Sequence, residues 1–307
     1  MNRVVPETRA ALADWLEAAR SWCDDALALA LDRACAADGR DALFVPADLA
    51  SALRYAVLGG GKRLRPALVR LVAEELGGDA RAAEAPAVAL EFVHTYSLVH
   101  DDLPCMDDDD LRRGRPACHV VYGEAMAVLV GDALQALAFE ELAARGRAGA
   151  ELVRVLARAA GASGMVGGQV LDLAPAARRP GILGIRDVHG AKTAALFGAA
   201  AQMGAIVAGA ASGAAAAAQR FGFQLGLAFQ AVDDVLDVTG DAATLGKTPG
   251  KDAALERDTL VATLGLDGAG REAQERAAGA HAALAELELG PDSRAAQLVG
   301  YLLDRRA

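Results

Sequence analysis

Two clusters of aspartates, far apart in the chain, constrain this sequence more than anything else in it. The first lies in residues 94–119, HTYSLVHDDLPCMDDDDLRRGRPACH, where Asp101, Asp102 and Asp107 to Asp110 set six carboxylates within ten residues. Like charges at that density repel one another unless a cation neutralises them. A divalent metal is the natural counterion, and Arg112, Arg113 and Arg115 directly after it suit a phosphate ligand that arrives with magnesium. A solvated acidic face is the common alternative for such a run. An EF-hand fails on spacing: with Asp107 at position one, Arg112 stands where the turn glycine belongs and Cys118 where the bidentate Glu belongs.

The second cluster decides against the solvated face. In GLAFQAVDDVLDVTGD, Gln230, Asp233, Asp234 and Asp237 fall on one side of a helix, while Phe229, Val232, Val235 and Leu236 occupy most of the other. Carboxylates at i and i+4 can share a cation. In the first cluster Asp101 and Asp102 close a helix, Leu103 and Pro104 interrupt it, and Asp107 must swing back to reach the same ion. Two such helices face to face make an oxygen-lined cage.

With both clusters in view, the chain resembles the trans-prenyl diphosphate synthases, and among them the bacterial farnesyl diphosphate synthases, over residues 50–260. The marks are GGGKRLRP at 59–66, DDLPCMD followed by DDDLRRG, GDALQALAF at 131–139, GGQVLDL at 167–173, AKTAALF at 191–197, and FQAVDDVLD with TLGKTPGKD. The resemblance implies an all-α isoprenoid synthase fold, one domain over 1–307 with its helical core at about 45–265 and ten or more helices around a deep central cavity. It implies magnesium, three ions per site, held by Asp101, Asp102, Asp107, Asp233 and Asp237. Lys62, Arg65, His94 and Arg113 are expected to hold the diphosphate of isopentenyl diphosphate. Arg112, Lys192 and Lys247 are expected to meet the allylic leaving group, with Arg257 a further cationic contact. Thr193 and Gln230 stand beside the nascent allylic cation. Chain-length control falls to Tyr96 and its neighbour Ser97. A bulky aromatic there, combined with a two-residue insertion in the first motif, goes with arrest at fifteen carbons in the family, so (2E,6E)-farnesyl diphosphate is the expected product and geranylgeranyl diphosphate the alternative. A homodimer is expected on the same ground.

The chain departs from the family at one point. Glu256, Arg257, Asp258, Thr259, Leu260 and Val261 stand where the family has a Gly-Lys pair followed by a small residue, Thr, Tyr and Pro. Arg257 keeps a cation but alters its geometry. A class I terpene cyclase would replace the second aspartate motif with one containing Asn, Ser and Glu, which FQAVDDVLD argues against. A catalytically silent partner subunit would be expected to have lost aspartates.

The remaining residues agree. Hydrophobic residues make up 53% against 4% aromatics, and Ile occurs three times, a mixture that favours helices over strands. A net charge of −10 disfavours nucleic acid as partner. The local basic runs at 62–65 and 112–115 then point to a small anion. Cys23, Cys35, Cys105 and Cys118 form no CxxC pair or zinc spacing and read as reduced thiols. The N-terminus has no apolar signal core, so a cytoplasmic protein is expected. Helices are predicted over 8–37, from Pro46 to Leu58, after Gly61, and over 86–102, 120–145 and 150–174, with a long loop at 175–186. Ala194 to Gln219 carries no charge over 26 residues, but its Ala, Gly, Gln and Ser content predicts helix, glycine break, helix rather than a membrane span. Gln169 and Asp172 sit at a helix end or face the cavity.

Overall fold

The computed structural model describes residues 6–36, 44–239 and 259–304. Among the described residues there are thirteen α-helices and one two-stranded hairpin, so the all-α expectation holds. The chain runs α1 (Pro6–Cys35), α2 (Ala47–Val57), α3 (Leu64–Glu75) and α4 (Glu84–Asp101). The hairpin of β1 (Leu111–Arg112) and β2 (Arg115–Pro116) follows, then α5 (Cys118–Tyr122), α6 (Glu124–Ala143), α7 (Gly146–Ala160), α8 (Met165–Leu173) and α9 (Ile182–Val188). A π-helical turn, His189–Ala194, leads without a break into α10 (Ala195–Val207). The long α11 (Ser212–Thr239), α12 (Leu260–Glu286) and α13 (Arg294–Leu303) complete the chain.

The uncharged stretch becomes intelligible at α10. This helix packs against α3, α7 and α11, and Leu196, Phe197, Ala200, Met203 and Ala205 are all buried. A helix covered on several sides has no face on which a charge can sit. Burying Leu196, Phe197 and Met203 contributes about 2 kcal/mol each. Its glycines and alanines let neighbours come close: a Cβ added at Gly204 would stand 2.4 Å from the Val69 carbonyl oxygen. Gly209, at φ +75°, makes the turn into α11. No helix among the described residues is long and apolar enough to cross a membrane.

Three elements differ from the sequence reading, the first being the helix predicted over 120–145, which Gly123 at φ +86° divides into α5 and α6. The helix predicted over 150–174 is two, α7 and α8, separated at Gly161–Gly164. Gly164 adopts φ −122°, ψ −133°, and a Cβ there would stand 2.0 Å from the Ala159 carbonyl oxygen, so the chain turns where only glycine fits. The loop predicted at 175–186 ends early, because Ile182 already opens α9. Its buried Ile185 and Val188 supply the tertiary contacts a short helix needs. All four cysteines are free thiols, and burial pushes Cys118 up to about 11.

α4 and α11 position the site. α4 packs on α6 and α3, α11 on α10 and α12, and each helix brings its aspartates to its C-terminal end. Carboxylates at that end of a helix meet the negative pole of its dipole, an unfavourable placement that a cation would offset.

Candidate active site

α4 ends where predicted, and the insertion after it folds back. The backbone N–H of Asp107 donates to the Asp101 carbonyl at 2.8 Å, and that of Asp109 to the Asp102 carbonyl at 3.1 Å. Leu103 to Met106 thus form a closed turn that returns Asp107 to Asp101. Burial is the largest influence on the Asp101 carboxyl, which is pushed up to about 6; Asp107 and Asp102 add to the rise while Lys192 and Arg112 oppose it. Asp102 takes a different part. It is buried, and Arg112 Nε donates to its Oδ1 at 3.0 Å and its Oδ2 at 3.2 Å, with a further bond from Nη2. Arg113 and Gly114, at φ +54° and +74°, turn the hairpin so that Arg112 reaches Asp102 while Arg113 reaches the other way, to the Gly60 carbonyl and Glu91.

Glu91 organises a basic cluster that the sequence reading only half saw. Its Oε1 accepts from Arg63 Nη1 at 2.5 Å and from Arg113 Nη2 at 3.5 Å, and the residue is buried. Arg63 also donates to Asp24 Oδ1 at 2.8 Å and to the Val57 carbonyl at 2.7 Å. Although it lies in the basic run that points to an anion, Arg63 is a buried knot tying α1, α2 and α4 together. Arg65 remains directed at the site. Its Nη1 lies 3.3 Å from His94 Nε2, its guanidinium sits 4.8 Å over the Phe197 ring, and its Nε has no protein partner. Burial, with Arg113 beside it, holds Arg65 down to about 10, against the pull of Glu91 and Asp233. Asp233 of α11 therefore faces this cluster from the opposite wall.

His94 is surrounded by cations. Burial first, then Arg65, Arg113, Arg63 and Arg112, hold its imidazole well below the ordinary histidine range, so it is neutral. A folded-state value below the unfolded one contributes stability above about pH 6.5 that is lost as the pH falls. Between pH 7.5 and 5.5 the wild type is expected to lose about 1 kcal/mol more than His94→Gln, read from urea melts at both pH values. Equal losses would mean that His94 is not held neutral.

The facing wall is built by the π-turn, α8 and α11. Gly168 of α8 lies against the turn so closely that a Cβ would stand 2.2 Å from Lys192 N. Lys192 Nζ donates to Asp172 Oδ2 at 2.7 Å, and Arg178 secures the end of α8 through the Leu171 and Asp172 carbonyls. Thr193 Oγ1 donates to Gln230 Oε1 at 2.9 Å, and Gln230 Nε2 to Asp234 Oδ1 at 3.1 Å. Asp234 departs from the one-face reading of the second cluster. It is buried, accepts from Leu260 N at 3.0 Å, and lies 3.6 Å from His189 Nε2, whereas Asp233 is half-buried and Asp237 exposed.

Tyr96 and Ser97 lie one turn and more below Asp101 on α4. The Tyr96 ring is buried, edge-on to His100 at 5.8 Å, and its hydroxyl is pushed up to about 12 by burial and then by Asp101. Ser97 Oγ donates to the His94 carbonyl at 2.9 Å. Below Tyr96 on the same face come Phe92, Val88 and Ala85, which border an open groove of about 450 Å³ between α1, α4 and α6, rimmed by charged residues including Asp25, Arg33, Glu84 and Glu141. Lys62 is exposed at the mouth of α3, while Lys247 and Arg257 lie outside the described residues. The acidic pair fits a hard divalent cation: burial and crowding resist ionisation of Asp101, and oxygen ligands match magnesium. Among the described residues no three ligating side chains already stand together, so further oxygens would come from a ligand such as a diphosphate.

Sequence reasoning missed Glu91 and His189. For Glu91 a signal exists: an acid between Leu90 and Phe92 in an otherwise apolar helix requires a buried cation. His189 is legible only from the packing of the π-turn on α11.

Comparison with known proteins sets this geometry in a family. The sequence model of the family Polyprenyl synthetase matches residues 46–286. Farnesyl diphosphate synthase of Escherichia coli is 44% identical over 264 residues, covering 82% of this chain and 88% of that one. Geranylgeranyl pyrophosphate synthase 9, chloroplastic, of Arabidopsis thaliana is 45% identical over 243 residues, 76% of this chain and 67% of that one. The crystal structure of a geranyltransferase from Helicobacter pylori complexed with magnesium and isoprenyl diphosphate superposes with a TM-score of 0.76 at 30% identity, covering 99% of this chain and 98% of that one. The fold is therefore that of the isoprenoid synthases. Because the match runs through both aspartate clusters and the basic residues between α2 and α4 alike, this chain belongs to the polyprenyl synthetase family and is a trans-prenyl diphosphate synthase.

Proposed function

We propose that the chain condenses isopentenyl diphosphate with dimethylallyl and then geranyl diphosphate and stops at (2E,6E)-farnesyl diphosphate. The observation that carries the stopping point is the buried Tyr96 ring on α4, close enough to Asp101 for that carboxylate to raise its hydroxyl. Arg65, His94, Arg113 and Lys62 would bind the diphosphate of isopentenyl diphosphate. Arg65 Nε, buried without a partner, is a donor that such an anion would satisfy. Magnesium held at Asp101, Asp107, Asp233 and Asp237, three ions as in the family, would supply neutralisation of the allylic diphosphate, while Asp102, expected from the sequence as a further ligand, is occupied by Arg112.

Lys192 and Arg112, with Lys247 and Arg257, would donate to that diphosphate as its carbon–oxygen bond breaks. Asp172 holds Lys192 by its ammonium group. Thr193 donates its proton to Gln230 and so turns its lone pairs outward, where they would face the positive allylic carbon. The double bond of isopentenyl diphosphate then attacks that carbon, and the proton lost from the adduct passes to the departing diphosphate. The apolar walls exclude the water that would quench the cation.

A homodimer would cover the exposed Val120, Val121, Val128 and Leu129 of α5 and α6, an apolar group that a lone chain leaves in water. We place the enzyme in the cytoplasm.

The test is incubation with magnesium, labelled isopentenyl diphosphate and, separately, dimethylallyl, geranyl and farnesyl diphosphates, followed by sizing of the dephosphorylated products. Farnesol from the first two and nothing longer from the third is expected. Geranylgeraniol would make it a geranylgeranyl diphosphate synthase. Cyclic hydrocarbon without use of isopentenyl diphosphate would indicate a cyclase, and no turnover a silent subunit.

A further inference from the structure

We propose that Asp234 is a positioning residue that fixes which end of the Gln230 amide faces the reacting carbon. The inference rests on the reading that Gln230 and Thr193 lie beside the allylic cation. Gln230, Asp233, Asp234 and Asp237 share one helix, yet Asp234 is turned into the protein, 6% exposed, and its two oxygens have separate tasks. Oδ2 accepts the Leu260 backbone N–H at 3.0 Å, at the start of α12, with His189 Nε2 3.6 Å away. Oδ1 accepts from Gln230 Nε2 at 3.1 Å.

A carboxylate has no proton to give, so only the NH₂ end of Gln230 can meet it. The carbonyl end is thereby turned to Thr193, whose Oγ1 donates to Gln230 Oε1 at 2.9 Å. Since Thr193 has one hydroxyl proton and spends it there, the Thr193 hydroxyl and the Gln230 carbonyl present lone pairs along this wall. Thr193 donates to Gln230 and Gln230 to Asp234, where the Leu260 N–H also ends, so the protons of this chain are spent toward Asp234 and the wall is left attractive to a cation. With the amide reversed, two N–H bonds would point there instead, and a positive carbon would be repelled.

The cycle Asp234→Asn, Gln230→Glu and the double variant tests this. In Asp234→Asn the new amide keeps its carbonyl for the Leu260 N–H and turns its NH₂ to position 230, which forces the Gln230 amide over. On that basis kcat is expected to fall about tenfold to a hundredfold, with KM for isopentenyl diphosphate little changed. Gln230→Glu alone sets two carboxylates against each other and is also expected to be slow. In the double variant the carboxylate introduced at position 230 accepts both from the amide introduced at 234 and from Thr193. The bond between positions 230 and 234 then runs the opposite way, but position 230 again turns only lone pairs to Thr193 and the wall, and kcat is expected to recover at least tenfold over either single variant. A double variant no faster than the slower single one overturns the proposal.

Thermal unfolding of the same ligand-free proteins reads the relay apart from turnover. Recovery of Tm in the double variant is expected, and Tm recovery without kcat recovery also overturns the positioning role by leaving a structural one. If the wild type consumes no isopentenyl diphosphate, the reaction assigned above fails, while the Tm cycle still decides whether the relay exists. Should Asp234→Asn not fold, Gln230→Glu becomes the reference, and adding Asp234→Asn to it must raise kcat.

Discussion

Asp101→Asn is expected to lower kcat by about 10²–10³ and, in metal-free protein at pH 7.5, to raise the melting temperature. The two effects share one cause. Burial and the neighbouring Asp107 and Asp102 push the Asp101 carboxyl up to about 6, so between about pH 4 and 6 the folded chain holds a proton there that the unfolded chain has already released. Stability from such a group is fully present below the unfolded value of about 4 and is lost as the pH rises through about 6. At pH 7.5 the metal-free protein therefore carries a charge its fold resists, a cost on the order of 1 kcal/mol after allowing for solvent screening. Asparagine removes that charge, for a gain of about 2 °C, and removes the oxygen that magnesium and the leaving diphosphate need. Calorimetry at pH 7.5 and 5, alongside steady-state kinetics, gives both numbers. If stability falls at pH 7.5 along with activity, Asp101 is a structural carboxylate and the metal site has been misplaced.

Tyr96→Ala is expected to move the product from fifteen carbons to twenty or more, with little change in the rate of the first condensation. The ring lies about 7.5 Å down α4 from Asp101, given a rise of 1.5 Å per residue. A chain growing away from the metal-bound diphosphate would meet it there. The next bulky side chain on the same helical face is the buried Phe92, four residues below, so truncating Tyr96 lengthens the available wall by about 6 Å. The cost is the buried ring itself, about 3 kcal/mol of stability, which a longer product filling the gap would partly offset when bound. Product sizing after dephosphorylation reads the outcome, and a variant that still stops at fifteen carbons would show that Tyr96 is not the floor.

Much of the site could be read from the sequence because its chemistry is local. Asp101, Asp102 and Asp107 are close in sequence, and a helix interrupted by Leu103 and Pro104 has few ways to bring Asp107 back. The lack of charge from Ala194 to Gln219 was likewise legible as buried helix, since composition reports burial without naming the neighbours. Which carboxylate faces the cavity was not legible. Helical periodicity puts Asp233, Asp234 and Asp237 within one broad arc, and only the packing of α12 and of the π-turn against α11 turns Asp234 inward to Leu260 and Gln230. Glu91 belongs to the same class: a sequence shows a lone acid in an apolar helix, but its partners Arg63 and Arg113 arrive from elsewhere in the chain. The residue types and their spacing by themselves determined a helical protein and pointed to a metal-diphosphate site, and the ordered motifs identified the family. The tertiary structure alone decided which of its charges face the substrate and which tie the walls together, because charge pairing in a low-dielectric interior depends on distances across helices that no local pattern encodes.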